Sequence, residues 1–210
     1  KAGIVDVLWA GGVGALALFF AWQADGYLQR RFLIGILAGA WSFRLTSYLL
    51  VRIVRMAEDG RYEEMKQKWG DATQRNLFLF FQVQAFWSVL FAAPMLLAAQ
   101  NAQSPLGWMD AAGVAMWILA IYGEAVADRQ LARFRMHSAN KGKVCRDGLW
   151  RYSRHPNYFF EWLHWWSYVW MALAIPTGGW GLTLIGPMVM GVALLKVTGI
   201  TKGTVLLTGG

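Results

Sequence analysis

Charge is scarce in this chain. Asp, Glu, Lys and Arg make up 15% of its 210 residues, where average soluble domains carry about 25%. With 57% hydrophobic residues and 13 Trp, this places it among integral membrane proteins rather than soluble enzymes. Cysteine is almost absent: the single Cys145 excludes an internal disulfide and any four-Cys metal site. The three histidines, His137, His155 and His164, are too few for a histidine-rich iron cluster of the membrane-desaturase kind. There is no HExxH pair, no GxGxxG and no P-loop, so no metal is expected, and any nucleotide is held by a non-Rossmann site. Internal repeats, low-complexity linkers and room for a soluble domain between apolar runs are also missing.

What is present is six apolar segments, near 4–22, 32–51, 77–99, 107–127, 158–176 and 179–197. Each approaches the roughly 20 residues that cross about 30 Å of hydrocarbon. The first is longer than a signal-peptide core and is followed by further spans, so it reads as a span and not as a cleaved leader. The expected fold is all-α, an integral-membrane helical bundle of about six spans in a single domain over residues 1–210. Pro94, inside the third segment, is tolerated in lipid where neighbouring groups satisfy the freed backbone.

The net charge of +8 would suggest nucleic acid in a soluble protein. Here the cations crowd into two connections, six in 52–75 and eight in 128–157, while 101–106 and 177–178 carry none. Topology explains that distribution, and no nucleic-acid partner is expected. Six spans put both basic loops and both termini on one side, which the positive-inside rule makes cytoplasmic; Arg30 and Arg31 are the only loop cations on the other side. Within the first basic loop, Tyr62–Trp69 reads as a short helix at the interface.

Ionisable groups at membrane depth are costly and usually face a cavity or a partner. In the second span Trp41, Arg44, Tyr48, Arg52 and Arg55 share a helical face. Arg44 lies near mid-span, where it either forms a structural ion pair or meets an anionic ligand. Asp6 either lies at the interface or partners Arg44. Glu124, Asp128 and Arg135 recur at steps of four and seven, a polar face running out of the fourth span. The stretch RYSRHPNYFFEWLHWW at 151–166 opens a helix at Pro156, which suits the first helical position. Asn157, Glu161, His164 and Tyr168 then share one face at steps of four, three and four. Interfacial snorkelling explains Arg151, but not Glu161 and His164, which lie deeper. The basic segment 129–154 leads into the helix N-terminus at Pro156, a favourable place for anions. A cationic mouth above buried polar groups suits NADPH, which carries about four negative charges and whose 2′-phosphate is usually read by Arg. S-adenosylmethionine has no phosphate to neutralise, and an anionic phospholipid headgroup is a further alternative.

GLWRYSRHPNYFFEW at 148–162, VDVLWA at 5–10, WSFRLTSYLL at 41–50 and EDGRYEEMKQKWG at 58–70 resemble bacterial membrane proteins with a steroid 5α-reductase C-terminal-like domain. The resemblance covers about residues 4–200 and extends more distantly to sterol C14-reductases and to isoprenylcysteine and phospholipid methyltransferases. It implies an inner-membrane enzyme that reduces a carbon–carbon double bond of a lipid-like substrate with NADPH, in contact with membrane lipids. The cofactor-binding candidates are Arg44, Asp128, Arg135, Arg151, Arg154, His155, Asn157, Glu161 and His164; the catalytic candidates are Tyr48, Tyr158 and Glu161. Trp41 stands where the resemblance expects the substrate-polarising Tyr, which argues against a 3-keto-steroid substrate. The tail TKGTVLLTGG replaces the acidic, tyrosine-containing segment such proteins carry. The competing readings are an S-adenosylmethionine-dependent membrane methyltransferase and a non-catalytic lipid-binding protein.

Overall fold

A computed structural model describes residues 3–55, 60–140, 142–173 and 179–198. The expected span end at 174–176, the side chain of Arg55 and the tail after Ile200 lie outside the described residues. Regular structure among the described residues is entirely helical: α1 (Ile4–Gln23), α2 (Leu28–Arg55), α3 (Gly60–Trp69), α4 (Thr73–Gln100), α5 (Trp108–Met136), α6 (Pro156–Ala172) and α7 (Ile185–Thr198). Four stretches are long and apolar enough to cross a bilayer: Ile4–Gln23, Leu28–Val54, Tyr62–Gln100 (which includes α4) and Trp108–Met136. This is a membrane protein by that measure, and large apolar side chains such as Trp22, Phe32, Phe43 and Phe86 stand exposed where lipid can cover them. At 1.5 Å per residue α6 is about 25 Å long and α7 about 21 Å, each short of a full crossing as a helix alone. A 3₁₀ turn at Gly179–Leu184 precedes α7, where Gly179 and Gly181 disfavour the α-helix.

The chain forms two compact units, Lys1–Pro105 and Leu106–Gly210. In the first unit α1 packs on α2 and α4. Its contact stripe is small: Ala10, Val13, Gly14, Ala17 and Ala21 are buried at helical spacing. A Cβ on Gly14 would lie 2.1 Å from Ser42 Oγ, so only Gly permits this approach. That same hydroxyl donates to Ala10 O at 2.9 Å. Trp41 is fully buried and meets Trp9 edge-on, which accounts for a large aromatic at this position as packing.

The interfacial helix appears as α3. Its Tyr62 is buried with Val5 and Leu77 against Met65, Trp69, Phe80 and Phe81, and its hydroxyl donates to Asp6 Oδ1 at 3.0 Å. Asp6 therefore has a hydrogen-bond partner at the end of α1. Arg30 and Arg31, expected as loop cations, instead bind backbone carbonyls. Arg30 is buried and donates to Asn101 O at 2.8 Å and Gln103 O at 2.6 Å, just past α4. Arg31 donates through Nε to Ala21 O at 2.9 Å and through Nη2 to Trp22 O, at the end of α1. The Arg31 bonds satisfy carbonyls that the end of α1 leaves open and complement its dipole, while the Arg30 bonds hold the turn that follows α4.

In the second unit α5 and α6 form the densest pairing, with α7 against α6. Asp110 accepts from Gly107 N–H at 2.8 Å and starts α5. The helix runs to Met136, so Asp128 and Arg135 are helical and the expected cytoplasmic loop at 128–157 begins later than hydropathy implies. Asn140 Nδ2 donates to Phe134 O at 2.9 Å and closes that end. Trp162 Nε1 donates to Pro187 O at 2.9 Å, tying α6 to α7.

Candidate functional site

The facing surfaces of α5 and α6 carry the buried polar groups of the second unit. On α5, Ala120, Gly123, Glu124, Ala127 and Asp128 make one buried stripe. On α6, Glu161, His164 and Tyr168 are buried and Asn157 is half-buried, so the helical face expected from their spacing does point inward. Two glycines bring the helices together. A Cβ on Gly123 would lie 2.3 Å from the Phe160 ring, and one on Gly113 would lie 2.8 Å from Ser167 O. Asn157 Nδ2 donates across the gap to Asp128 Oδ1 at 3.4 Å. Deeper, His164 Nε2 and the Tyr168 hydroxyl are 3.1 Å apart, and Ser167 Oγ donates to His164 O at 2.5 Å.

Three carboxyl groups, Glu124, Asp128 and Glu161, are each at most 7% exposed along these helices. Taking ionised carboxylates out of water costs several kcal/mol each unless hydrogen bonds or nearby charges compensate. Asn157 Oδ1 is buried and accepts no hydrogen bond, an acceptor available to a ligand's N–H. Among the described residues no group of three or more His, Cys, Asp or Glu gathers as metal ligands do.

Two turns further along α5, and on the same face, Arg135 enters a pocket of about 520 Å³. Lys143 and Arg154 line it as well, with His137, Cys145 and Trp150, and no Asp or Glu does so among the described residues. Its outer wall is the segment that returns from α5 to α6. Gly148 adopts φ +56°, which favours glycine, and a Cβ there would displace the Gln130 amide. Gln130 Oε1 accepts from Leu149 N–H at 2.9 Å, and Trp150 Nε1 donates to Ala127 O at 2.9 Å. The wall is thus pinned to α5 at two successive residues, Leu149 and Trp150. Arg135, Lys143 and Arg154 are exposed side chains of the kind that makes charge-assisted hydrogen bonds to phosphate or carboxylate oxygens.

The expected residues sort unevenly. Asp128, Arg135, Arg154, Asn157, Glu161 and His164 all belong to the α5–α6 wall or the pocket. Arg151 is exposed at the end of a 3₁₀ turn and does not line the pocket. Tyr158 is partly exposed and stacks on His155 at 5.4 Å. His155 caps the start of α6, where burial first and the charge of Arg154 second hold its imidazole below the usual histidine range. At neutral pH it is uncharged and adds no cation to the pocket. Arg44 and Tyr48 lie half-buried on α2, in the first unit. Sequence reading passed over Gln130, Lys143 and Trp150 individually. Lys143 belongs to the noted basic run, but nothing in the spacing of Gln130 and Trp150 announces their cross-chain bonds.

A family profile described as "Protein of unknown function (DUF1295)" matches residues 1–204. The chain belongs to the DUF1295 family. Nothing among curated proteins matches it, and no solved structure does. The DUF1295 match spans both units and includes every residue of the α5–α6 wall and its pocket.

Proposed function

We propose that this protein is an NADPH-dependent reductase of a polarised carbon–carbon double bond in a lipid-like substrate, an enone of isoprenoid or steroid-like character. The observation that carries this reading is the run of the site along α5: a cationic pocket at Arg135, Lys143 and Arg154, then the Asp128–Asn157 pair, then buried Glu161. The residues fit the cofactor. Three cations match its phosphates, and the open Asn157 Oδ1 matches an amide N–H at its other end. NADPH bound there supplies the hydride that reduces the alkene. Arg135, Lys143 and Arg154 hold phosphate charge at the mouth. Asn157 and Asp128 orient the amide end, and Glu161 fixes the polar wall behind it. Burial excludes water and strengthens each of these contacts. The proton that completes the reduction is assigned to Tyr158, the candidate in the same unit as the pocket, where it stacks on His155.

The resemblance of the 148–162 block to steroid 5α-reductase-like proteins supports the same chemistry. We place the protein in the bacterial inner membrane with six spans and both termini in the cytoplasm. The two opposing cations, Arg30 and Arg31, already have backbone carbonyl partners, so they weigh little against the charge of the basic connections.

The test is cofactor binding by purified protein in detergent. Losing one charge-assisted contact costs about 1.5–3 kcal/mol, so Arg135→Ala is expected to weaken NADPH binding roughly 10- to 100-fold. NADPH should also shield Cys145, in the pocket wall, from maleimide. Equal NADPH binding by wild type and Arg135→Ala removes the cofactor assignment. Binding and shielding by S-adenosylmethionine alone would put a methyltransferase in its place.

A further inference from the structure

The first unit carries a cavity of its own, and the inference drawn from it does not depend on the chemistry proposed above. It is an apolar groove of about 590 Å³ between α1 and α2. Leu18, Trp22, Phe32 and Ile36 form its sides, and each is at least 50% exposed. Its floor lies at Gly35 and Gly39. Neither glycine is forced by crowding: a Cβ at Gly35 would meet Leu18 Cδ2 at 3.6 Å, and one at Gly39 would meet the same atom at 3.7 Å, ordinary contact distances. The absent side chains leave a trough where larger residues would fit. Arg31 is the charged residue lining the groove. Its Nε and Nη2 cap the end of α1, which leaves Nη1 for another acceptor. No acidic side chain lines the groove among the described residues.

The dimensions identify the occupant. From Arg31 to Ala40 the groove follows α2 for nine residues, about 14 Å, close to half of a roughly 30 Å hydrocarbon core. Arg52 lies at the opposite end of the same helix, about 32 Å away. The groove therefore begins at the membrane surface opposite the one that Arg52 marks and ends near mid-bilayer, the reach of one leaflet's acyl chain. We propose that it binds an anionic phospholipid, one acyl chain lying on Gly35 and Gly39 and the headgroup phosphate on Arg31. A second copy packed through the same groove would bring no acidic side chain to Arg31 Nη1, since none lines the groove among the described residues.

Native mass spectrometry of the full chain, released from nanodiscs of equimolar phosphatidylglycerol and phosphatidylcholine, tests this. Wild type is expected to retain phosphatidylglycerol in preference to phosphatidylcholine. Gly39→Leu fills the trough from a position with room for a Cβ and should lose the retained lipid while staying folded. Arg31→Gln should lower the preference for phosphatidylglycerol about fivefold, the effect of one cation near an anionic surface. Undiminished retention by Gly39→Leu, or no headgroup preference in wild type, overturns the proposal. A dimer that Gly39→Leu dissociates, with lipid retention unchanged, overturns it too and assigns the groove to a second copy.

Discussion

Gly123 offers the most direct test of how the α5–α6 wall is built. Any side chain there meets Phe160, with three ring carbons 2.3–2.5 Å from the position of a Cβ. Ordinary contact begins about 1 Å further out, and the ring sits next to Glu161 on a tightly packed face. Overpacking of this kind costs about 1–3 kcal/mol. A glycine-to-alanine change inside a helix also brings a gain of about 1 kcal/mol in helix propensity, which blurs the result for Gly123→Ala alone. Gly12 supplies the control. It lies inside α1 with nothing within 4 Å of its would-be Cβ. The propensity term is common to both variants, so their difference isolates the clash. Gly123→Ala should be about 1–3 kcal/mol less stable than Gly12→Ala by equilibrium unfolding in mixed micelles. Equal stability would mean that α5 and α6 do not meet at Gly123. The helix register that turns Asp128 and Glu161 inward would then be wrong as well.

Two further outcomes follow from the pocket wall and its cap. Trp150→Phe removes the bond to Ala127 O while keeping an aromatic ring, a loss of about 0.5–1.5 kcal/mol. Since Cys145 is the only cysteine and is 5% exposed, maleimide labelling reads the loosened wall directly and should accelerate roughly 2- to 10-fold; an unchanged rate would sink the idea that Trp150 pins it. His155 should titrate below the ordinary histidine value of 6.5 in an NMR experiment. Because its pKa is lowered on folding, the unfolded chain takes up the proton first as pH falls. Its contribution is thus intact above 6.5 and stability declines below that value. Arg154→Gln should raise its pKa only part of the way, because burial is the larger cause; a full return to the ordinary value would reverse that order.

The fold was legible wherever hydropathy alone decides it. α1, α2 and α4 begin and end within a few residues of the apolar runs, and the amphipathic segment 62–69 is helical as its pattern implies. The last turns of α5 were not legible, because Asp128–Met136 is polar and cationic and reads as a loop. Asn140, beyond the helix, supplies the closing bond, and no local pattern predicts it. Arg30 and Arg31 illustrate the same limit. As sequence they are two stray cations, whereas their partners, the carbonyls of Asn101, Gln103, Ala21 and Trp22, are known only once α1 and α4 end beside them. In the site, the period of Asn157, Glu161, His164 and Tyr168 already announced one inward face. The pocket needed the return of the chain at Gly148, which brings Lys143 and Trp150 to α5 from positions that no helical period connects.

The order of charges along α5 bears on which ligand class the site suits. Asp128 and Arg135 share a face two turns apart, so the wall changes sign over about 11 Å, from buried carboxylates to exposed cations. A phospholipid headgroup satisfies the cations but makes no use of Asn157 Oδ1, a buried acceptor that takes no hydrogen bond. S-adenosylmethionine, with its sulfonium, suits carboxylates but leaves three cations around a pocket with no phosphate to receive. A ligand with phosphates at one end and an amide-bearing ring at the other addresses both halves of the wall and the open Asn157 acceptor between them.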